Sequence, residues 1–377
     1  MRVYYDWCHF MVERIVCMYR CLPYTEDMKE DWDRLAWSQG TIFHTLSFRQ
    51  ILLETFGYQC LYHAVVDQNG QICALIPLTS GRNLGLKQVG VSLPFVNYTD
   101  VCALNEEVSQ FAIAAIGLLK EKYRLHYIEL RFKNGTISGE GKQLSQMLTQ
   151  LDSAHGQRNE INHTFVLPLT NEDEVLSLST RNNRNHIRKV YKNNWFQVSY
   201  DKGNLARFHK VYVRRMKQLG SPAQDIRFFQ RFLDYLPDHA VLQTVLDAET
   251  GEVAGGMLLL ISPGDSTLYY PYGANLTEFN HKYLNNFMYW EAVKLGIRSG
   301  LKQLDLGRSQ AGSGTYKYKE QWGAAAEQLT YVVMGSTNKE AGPPDKEKLR
   351  FFIELWKIMP NMVTEPVGKQ LIKYLMP

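Results

Sequence analysis

The residue types that could do chemistry concentrate between Gln303 and Gly323: Gln-Leu-Asp-Leu-Gly-Arg-Ser-Gln-Ala-Gly-Ser-Gly-Thr-Tyr-Lys-Tyr-Lys-Glu-Gln-Trp-Gly. Lys302–Leu306 alternates polar and apolar residues, which predicts a half-buried strand, with Gly307 as its stop. Arg308, Ser309 and a loop holding Gly312, Ser313 and Gly314 follow. Glycines there let backbone N–H groups approach a ligand. Tyr316, Lys317, Tyr318 and Lys319 come next. Cations and hydroxyls at a strand end, beside a flexible loop, suit an anionic or acyl substrate. An ordinary loop with solvated lysines fits the composition as well.

A second cationic feature is Arg181-Asn-Asn-Arg-Asn-His-Ile-Arg-Lys-Val-Tyr-Lys192. Ser179 or Thr180 can cap a helix there. Arg181, Arg184, Arg188 and Lys192 then share one face, with Lys189 beside them and no acid to pair with. Like charges so spaced repel, which points to a bound anion, a phosphorylated carrier or RNA. A merely solvated face is the alternative. Other catalytic patterns fail. Gly312-Ser-Gly314 is no nucleophile elbow, and neither a Walker nor a G-x-G-x-x-G motif exists. No histidine stands at zinc spacing from a cysteine, so no metal site is expected.

The C-terminal run resembles the signature of the FemABX-like acyltransferases, which are tandem acetyltransferase-fold (GNAT) proteins. The residues are Leu304-Asp-Leu-Gly-Arg-Ser, Gly312-Ser-Gly-Thr-Tyr and Tyr318-Lys319-x-x-Trp322-Gly323. The likeness is strongest to the FemAB-related branch associated with exopolysaccharide and PEP-CTERM loci. Arg184-x-x-x-Arg188-Lys189, Tyr212-x-x-x-Met216-x-x-Leu219-Gly-Ser-Pro222 and Tyr270-x-Tyr272-Gly-Ala274 agree with it, over roughly residues 19–335. The resemblance implies an α/β (α+β) chain of two GNAT folds, with catalysis in the second and acceptor binding in the first. It implies Lys319 as the cation that stabilises the tetrahedral oxyanion of amide formation, beside Tyr318, where the family often has Phe. Arg308, Ser309, Gly312, Gly314, Tyr316, Tyr270, Tyr272 and Tyr212 become substrate-binding candidates. Arg181, Arg184, Arg188, Lys189 and Lys192 face a nucleotide- or tRNA-linked substrate. No general base is evident, and Asp305 reads as structural.

No tightly bound cofactor is expected. An acetyl-CoA enzyme needs a glycine-rich phosphate cradle opening the helix after the central strand. The segment after Pro271, Tyr-Gly-Ala-Asn-Leu-Thr-Glu-Phe-Asn-His-Lys-Tyr-Leu, has no such spacing. Its absence fits the family's donor, aminoacyl-tRNA, with a nucleotide- or lipid-linked sugar or peptide as acceptor. An acyl-CoA-dependent N-acyltransferase is the alternative, and a non-catalytic glycan- or RNA-binding module is a third reading.

The elements that must position these residues come in a repeated order. The first half reads as a strand at Tyr19–Leu22, helices at Asp27–Trp37 and Phe43–Phe56, and a hairpin of Leu61–Val66 and Gln71–Leu78. A strand at Val89–Phe95, a helix at Glu106–Tyr123 and a strand at Tyr127–Phe132 complete it. The second half repeats the hairpin (Val241–Leu246, Val253–Ile261), the strand (Thr267–Pro271), the helix (Leu284–Ser299) and the strand that enters the motif. Gly70/Gly251, Pro94/Pro271 and Glu129/Asp305 mark nearly constant offsets, which argues for duplication of one αβ unit. The expected organisation is an N-terminal extension (1–18), a first GNAT-like domain (19–163), a second (164–335), and a linker with amphipathic helices (336–377).

At 377 residues, 45% hydrophobic and 21% charged, the chain reads as two ordinary globular domains. A net charge of +4 permits an anionic partner without demanding one. All six cysteines fall in the first third without a Cys-x-x-Cys pair, so they read as reduced thiols of a cytoplasmic protein. No stretch reaches about 18 uncharged apolar residues, the length of a membrane span. Lys357, Lys369 and Lys373 leave contact of the tail with the inner membrane surface open. Oligomeric state is not legible. Residues 1–17 read as an extension preceding a start at Met18, so deleting them should leave the melting temperature and activity of the chain unchanged.

Overall fold

The computed structural model describes residues 18–133, 156–335 and 346–376. The expected extension at 1–17, with Cys8 and Cys17, lies outside them, as does most of the expected linker. The four described cysteines are free thiols. Two compact units divide the chain, the first built mainly from the residues up to 158 and the second from 159–330 and the C-terminal helices.

In the first unit β1 (Arg20–Pro23) precedes α1 (Lys29–Gln39) and α2 (Leu46–Phe56). The helix expected over Phe43–Phe56 is two pieces. Thr45 is extended and caps α2 with its side chain, and a 3₁₀ turn covers Ile42–His44. Gly57, at φ 68°, ends α2. Then come β2 (Gln59–Val66), β3 (Ile72–Arg82), β4 (Gln88–Val91), β5 (Cys102–Ala103), α3 (Glu106–Lys122) and β6 (Ile128–Lys133). The sheet order is β1-β2-β3-β4-β6, antiparallel except for the parallel pair β4/β6, and β5 adds to β3. Val65, Ala74, Ile76 and Leu78 pack on Val108, Ile113, Ile116 and Leu119 of α3. Removing such apolar side chains from water is what holds the helix on the sheet.

The second unit opens with β7 (Gly156–Pro168), α4 (Glu172–Leu178) and α5 (Arg181–Asn193), capped as expected by the Thr180 side chain. It continues with β8 (Phe196–Ser199), α6 (Leu205–Gln218), α7 (Ile226–Tyr235), β9 (Ala240–Asp247), β10 (Val253–Ser262) and β11 (Thr267–Asn275). Next are α8 (Leu284–Arg298), β12 (Gln303–Gln310), α9 (Gly314–Glu320) and β13 (Ala325–Met334), followed by α10 (Lys346–Ile358) and α11 (Asn361–Leu371). The sheet order is β7-β12-β11-β10-β9-β8, and β11/β12 is its parallel pair. β13 starts in this unit and ends, from Tyr331, in the first. Among the described residues no helix is long and apolar enough to cross a membrane.

The repeat is visible in the turns. Gly70 and Gly251 both take left-handed φ, and each donates its N–H to the aspartate that opens the turn, Asp67 or Asp247. Strand register corrects one expected correspondence. Val91 pairs with Glu129 as Tyr269 pairs with Asp305, so Pro94 corresponds to Tyr272 and not to Pro271. β4 also stops at Val91, short of the expected Phe95, because Ser92 and the following residues leave the sheet.

In the first unit the space beyond the β4/β6 pair is closed by the segment 92–100. Ser92 N–H donates to Glu129 O and Thr99 N–H to Arg131 O, both at 2.9 Å. The buried Arg131 guanidinium donates to the Glu129 carboxylate at 2.7 Å and to Val96 O at 2.8 Å. Removing one partner of a buried ion pair strands the other charge, at a cost of about 3–5 kcal/mol. Arg131→Met should lower the urea midpoint accordingly, and Glu129→Leu in the same chain should recover most of the loss.

Candidate active site

β11 and β12 run as hydrogen-bonded neighbours only from Thr267/Gln303 to Tyr269/Asp305, and then part. Both strands carry the cause. Pro271 has no N–H to give, and the β11 ladder to β10 shifts register between Leu258 and Leu260, opposite Tyr270 and Pro271. On β12 the register against β7 shifts between Asp305 and Arg308, around Gly307 at φ 79°. Gly307 therefore bulges the strand and does not end it, and β12 runs on to Gln310. Asp305 Oδ1 fastens the bulge, accepting from Gly307 N–H at 2.6 Å and from Thr164 Oγ1 at 2.8 Å.

Lys319 sits on the bulge of β12. The expected loop after Ser309 is short: Ser313 caps α9, its Oγ accepting from Tyr316 N–H, and the motif residues 316–319 are helical. This brings Lys319 back under β12, where its Nζ donates to Gly307 O at 2.8 Å and Arg308 O at 3.2 Å. The side chain is 6% exposed and passes 5.9 Å from the Phe165 ring centre. Burial pulls the ammonium down to about 8; Asp305 works against that shift and Arg308 with it.

Tyrosines gather on the other side of α9. Tyr318 packs edge-on to Tyr289, Tyr289 edge-on to Tyr270, and Tyr289 stacks on Trp322, with ring centres 5.4–5.6 Å apart. Tyr289, on α8, was not legible as a site residue, since its neighbours form an apolar helix. Tyr272 and Tyr212 join an aromatic core with Phe229 of α7. Burial raises all five phenols, so they stand as neutral donors and not as bases. Tyr316 instead packs on His163 and Phe165 of β7. Two buried polar atoms near α9 have no hydrogen-bond partner, Ser309 Oγ and His163 Nδ1, while the Trp322 indole N–H serves the Tyr318 hydroxyl. Such atoms are costly unless something completes them. Arg308, Gly312 and Gly314 are exposed.

The cations of α5 divide. Arg184 donates to Ser177 O and Ser179 O, closing the end of α4, and is not free for a ligand as expected. Lys189 lies over the rings of Trp195 and Tyr283. Arg181, Arg188 and Lys192 are exposed. Beneath the helix, Tyr191 and Lys294 both donate to the buried Glu291 carboxylate. The N-terminus of α8 offers no phosphate cradle. Its cap, Tyr283, sits at φ 56° with His186 stacked 4.0 Å away. No cluster able to hold a metal ion exists among the described residues.

Residues 179–320 match the family model of the acetyltransferase (GNAT) domain. The crystal structure of FemX superposes with a TM-score of 0.64 at 15% identity, over 83% of this chain and 96% of that one. The likeness is one of fold: a GNAT fold, built as in FemX. A tandem GNAT protein from the clavulanic acid biosynthesis pathway is similar too, with a TM-score of 0.52 at 9% identity, over 85% of this chain and all of the other. So is L-PGS from Bacillus licheniformis, with a TM-score of 0.50 at 13% identity, over 88% and 96% of the two chains. No curated protein matches this chain in sequence. Within the fold, the parting of β11 and β12 is the feature around which the motif residues assemble.

The Trp322-Gly323 pair closes the motif for structural reasons. Trp322 is buried, and a Cβ on Gly323, at φ 73°, would stand 2.5 Å from Leu178 O. Left-handed strain alone costs about 1–3 kcal/mol. Gly323→Ala should therefore lower the thermal midpoint by several degrees, and a melting curve equal to wild type would refute this account.

Proposed function

We propose that the chain transfers an aminoacyl or acyl group to an amine of a cell-envelope or polysaccharide precursor, forming an amide, with aminoacyl-tRNA as donor. The observation that carries this reading is the Lys319 ammonium, buried on the bulge carbonyls where β11 and β12 part. The acceptor amine attacks the donor's ester carbonyl, so a C–N bond forms and an oxyanion develops. As the C–O bond breaks, the carbonyl returns and the amine proton leaves with the ribose oxygen. Two Lys319 N–H bonds hold the bulge, and the third remains to meet the oxyanion. A positioned donor of this kind contributes about 3 kcal/mol of barrier. Neutral Tyr270, Tyr289 and Tyr318, across α9 from it, offer hydroxyls to the rest of the substrate.

Several observations support the partners. Arg181, Arg188 and Lys192 present exposed charge for the phosphates of a tRNA or of a nucleotide- or lipid-linked acceptor. The aromatic cap of α8, in place of a glycine loop, argues against CoA. The first unit, with its space closed by Arg131, serves acceptor binding and not catalysis. On this reading the protein is cytoplasmic and works at the inner face of the membrane.

The test offers the purified chain labelled aminoacyl-tRNA and, separately, labelled acyl-CoA, each with an envelope-precursor extract. Label leaving tRNA for the extract is the expected result. Label leaving CoA alone would replace the donor, and binding without transfer would make the chain a recognition module. Lys319→Met should stay folded, with some loss of stability from the two freed carbonyls, and should lose about 10²–10³-fold in transfer rate. Because the ammonium titrates at about 8, wild-type transfer should fall as pH rises through that value. A lysine acting as base would give the opposite limb.

A further inference from the structure

The C-terminal helices are fastened to the second unit by one face and carry an apolar surface on the other. The inner face holds buried Trp356 and Thr364, and Gly368, where a Cβ would touch Trp356 and Pro222. Lys369 pairs with Asp225 at 3.0 Å, and Lys217 donates to Asn361 at 2.9 Å. The outer face should be polar in a helix whose docking is complete. It is not. Phe351 is 72% exposed, Phe352 64%, Ile358 79% and Met362 89%, and Leu355, Val363 and Val367 are also exposed. Phe351, Leu355 and Ile358 stand at i, i+4 and i+7 on α10, so the exposure is a stripe and not scattered single residues.

We propose that this face of α10 and α11 docks on an anionic lipid bilayer. Charge selects that occupant. Residues 346–376 hold six lysines and arginines against three glutamates, and with Lys369 taken up by Asp225 on the inner face the segment keeps a net charge of +2. A second copy of the same face would bring like charge to like, which opposes self-association. A bilayer rich in acidic headgroups attracts the cations and accepts the phenylalanines, isoleucine and methionine at the headgroup boundary. Because the inner face is already anchored, the helices can lie on the surface without leaving the protein. The inference does not depend on the identity of donor or acceptor.

The full chain should co-sediment with vesicles of phosphatidylcholine and phosphatidylglycerol, more weakly with phosphatidylcholine alone, and less as salt rises. Phe352→Glu with Ile358→Glu should cut the bound fraction at least tenfold while leaving the melting temperature unchanged, since both side chains are exposed. No binding by wild type, or equal binding to neutral vesicles, would overturn the proposal. A wild-type dimer in sedimentation velocity that the double variant abolishes would also overturn it, making the face a contact between copies.

Discussion

The second unit depends on two parallel strands that stop bonding to each other. A parallel pair inside a sheet is normally continuous, and every N–H and C=O it abandons must find another partner. Here Pro271 leaves no N–H unpaired, because it has none, and Gly307 takes the left-handed φ that the bulge requires. The carbonyls of Gly307 and Arg308 are left over, and the lysine brought round by α9 takes both. Fold and buried cation are thus one arrangement. The ammonium is held by the carbonyls it serves, and its burial is what lowers its pKa.

The first unit shows the same geometry resolved in another way. Its parallel pair also ends early, but chain and side chain refill the space, with Arg131 bonded to Glu129 and Val96. The two units differ in how each satisfies the groups left at its divergence: an arginine paired with its neighbour in the first, a lysine on bare carbonyls in the second.

Much of this fold is legible in the sequence because its signals are local. The hairpins announce themselves through alternating residues and the Asp-to-Gly turns, and α5 through its Thr180 cap. The site is legible in content but not in shape. Gly307 carries the same local signal whether a strand ends or bulges, and only the partner strand β7 decides. Glycines 312 and 314 read as a loop and hide a helix that Ser313 caps. A buried lysine is rare enough that sequence places Lys319 on the surface by default. Tyr289 is indistinguishable from the apolar helix around it. Arg184 reads as a ligand-facing charge, since the carbonyls it closes belong to a different helix.

The strand that leaves the motif, β13, ends by supplying Val332 to the first unit's core and the Tyr331 hydroxyl to Asn97 O, 234 residues earlier. On the ribosome, the first unit must therefore wait for nearly the whole chain before its core is complete. Contacts so distant in sequence slow folding. A single cut after residue 158 would leave the second unit whole but would take Tyr331 and Val332 from the first. A first unit ended at that boundary would lack part of its own interior.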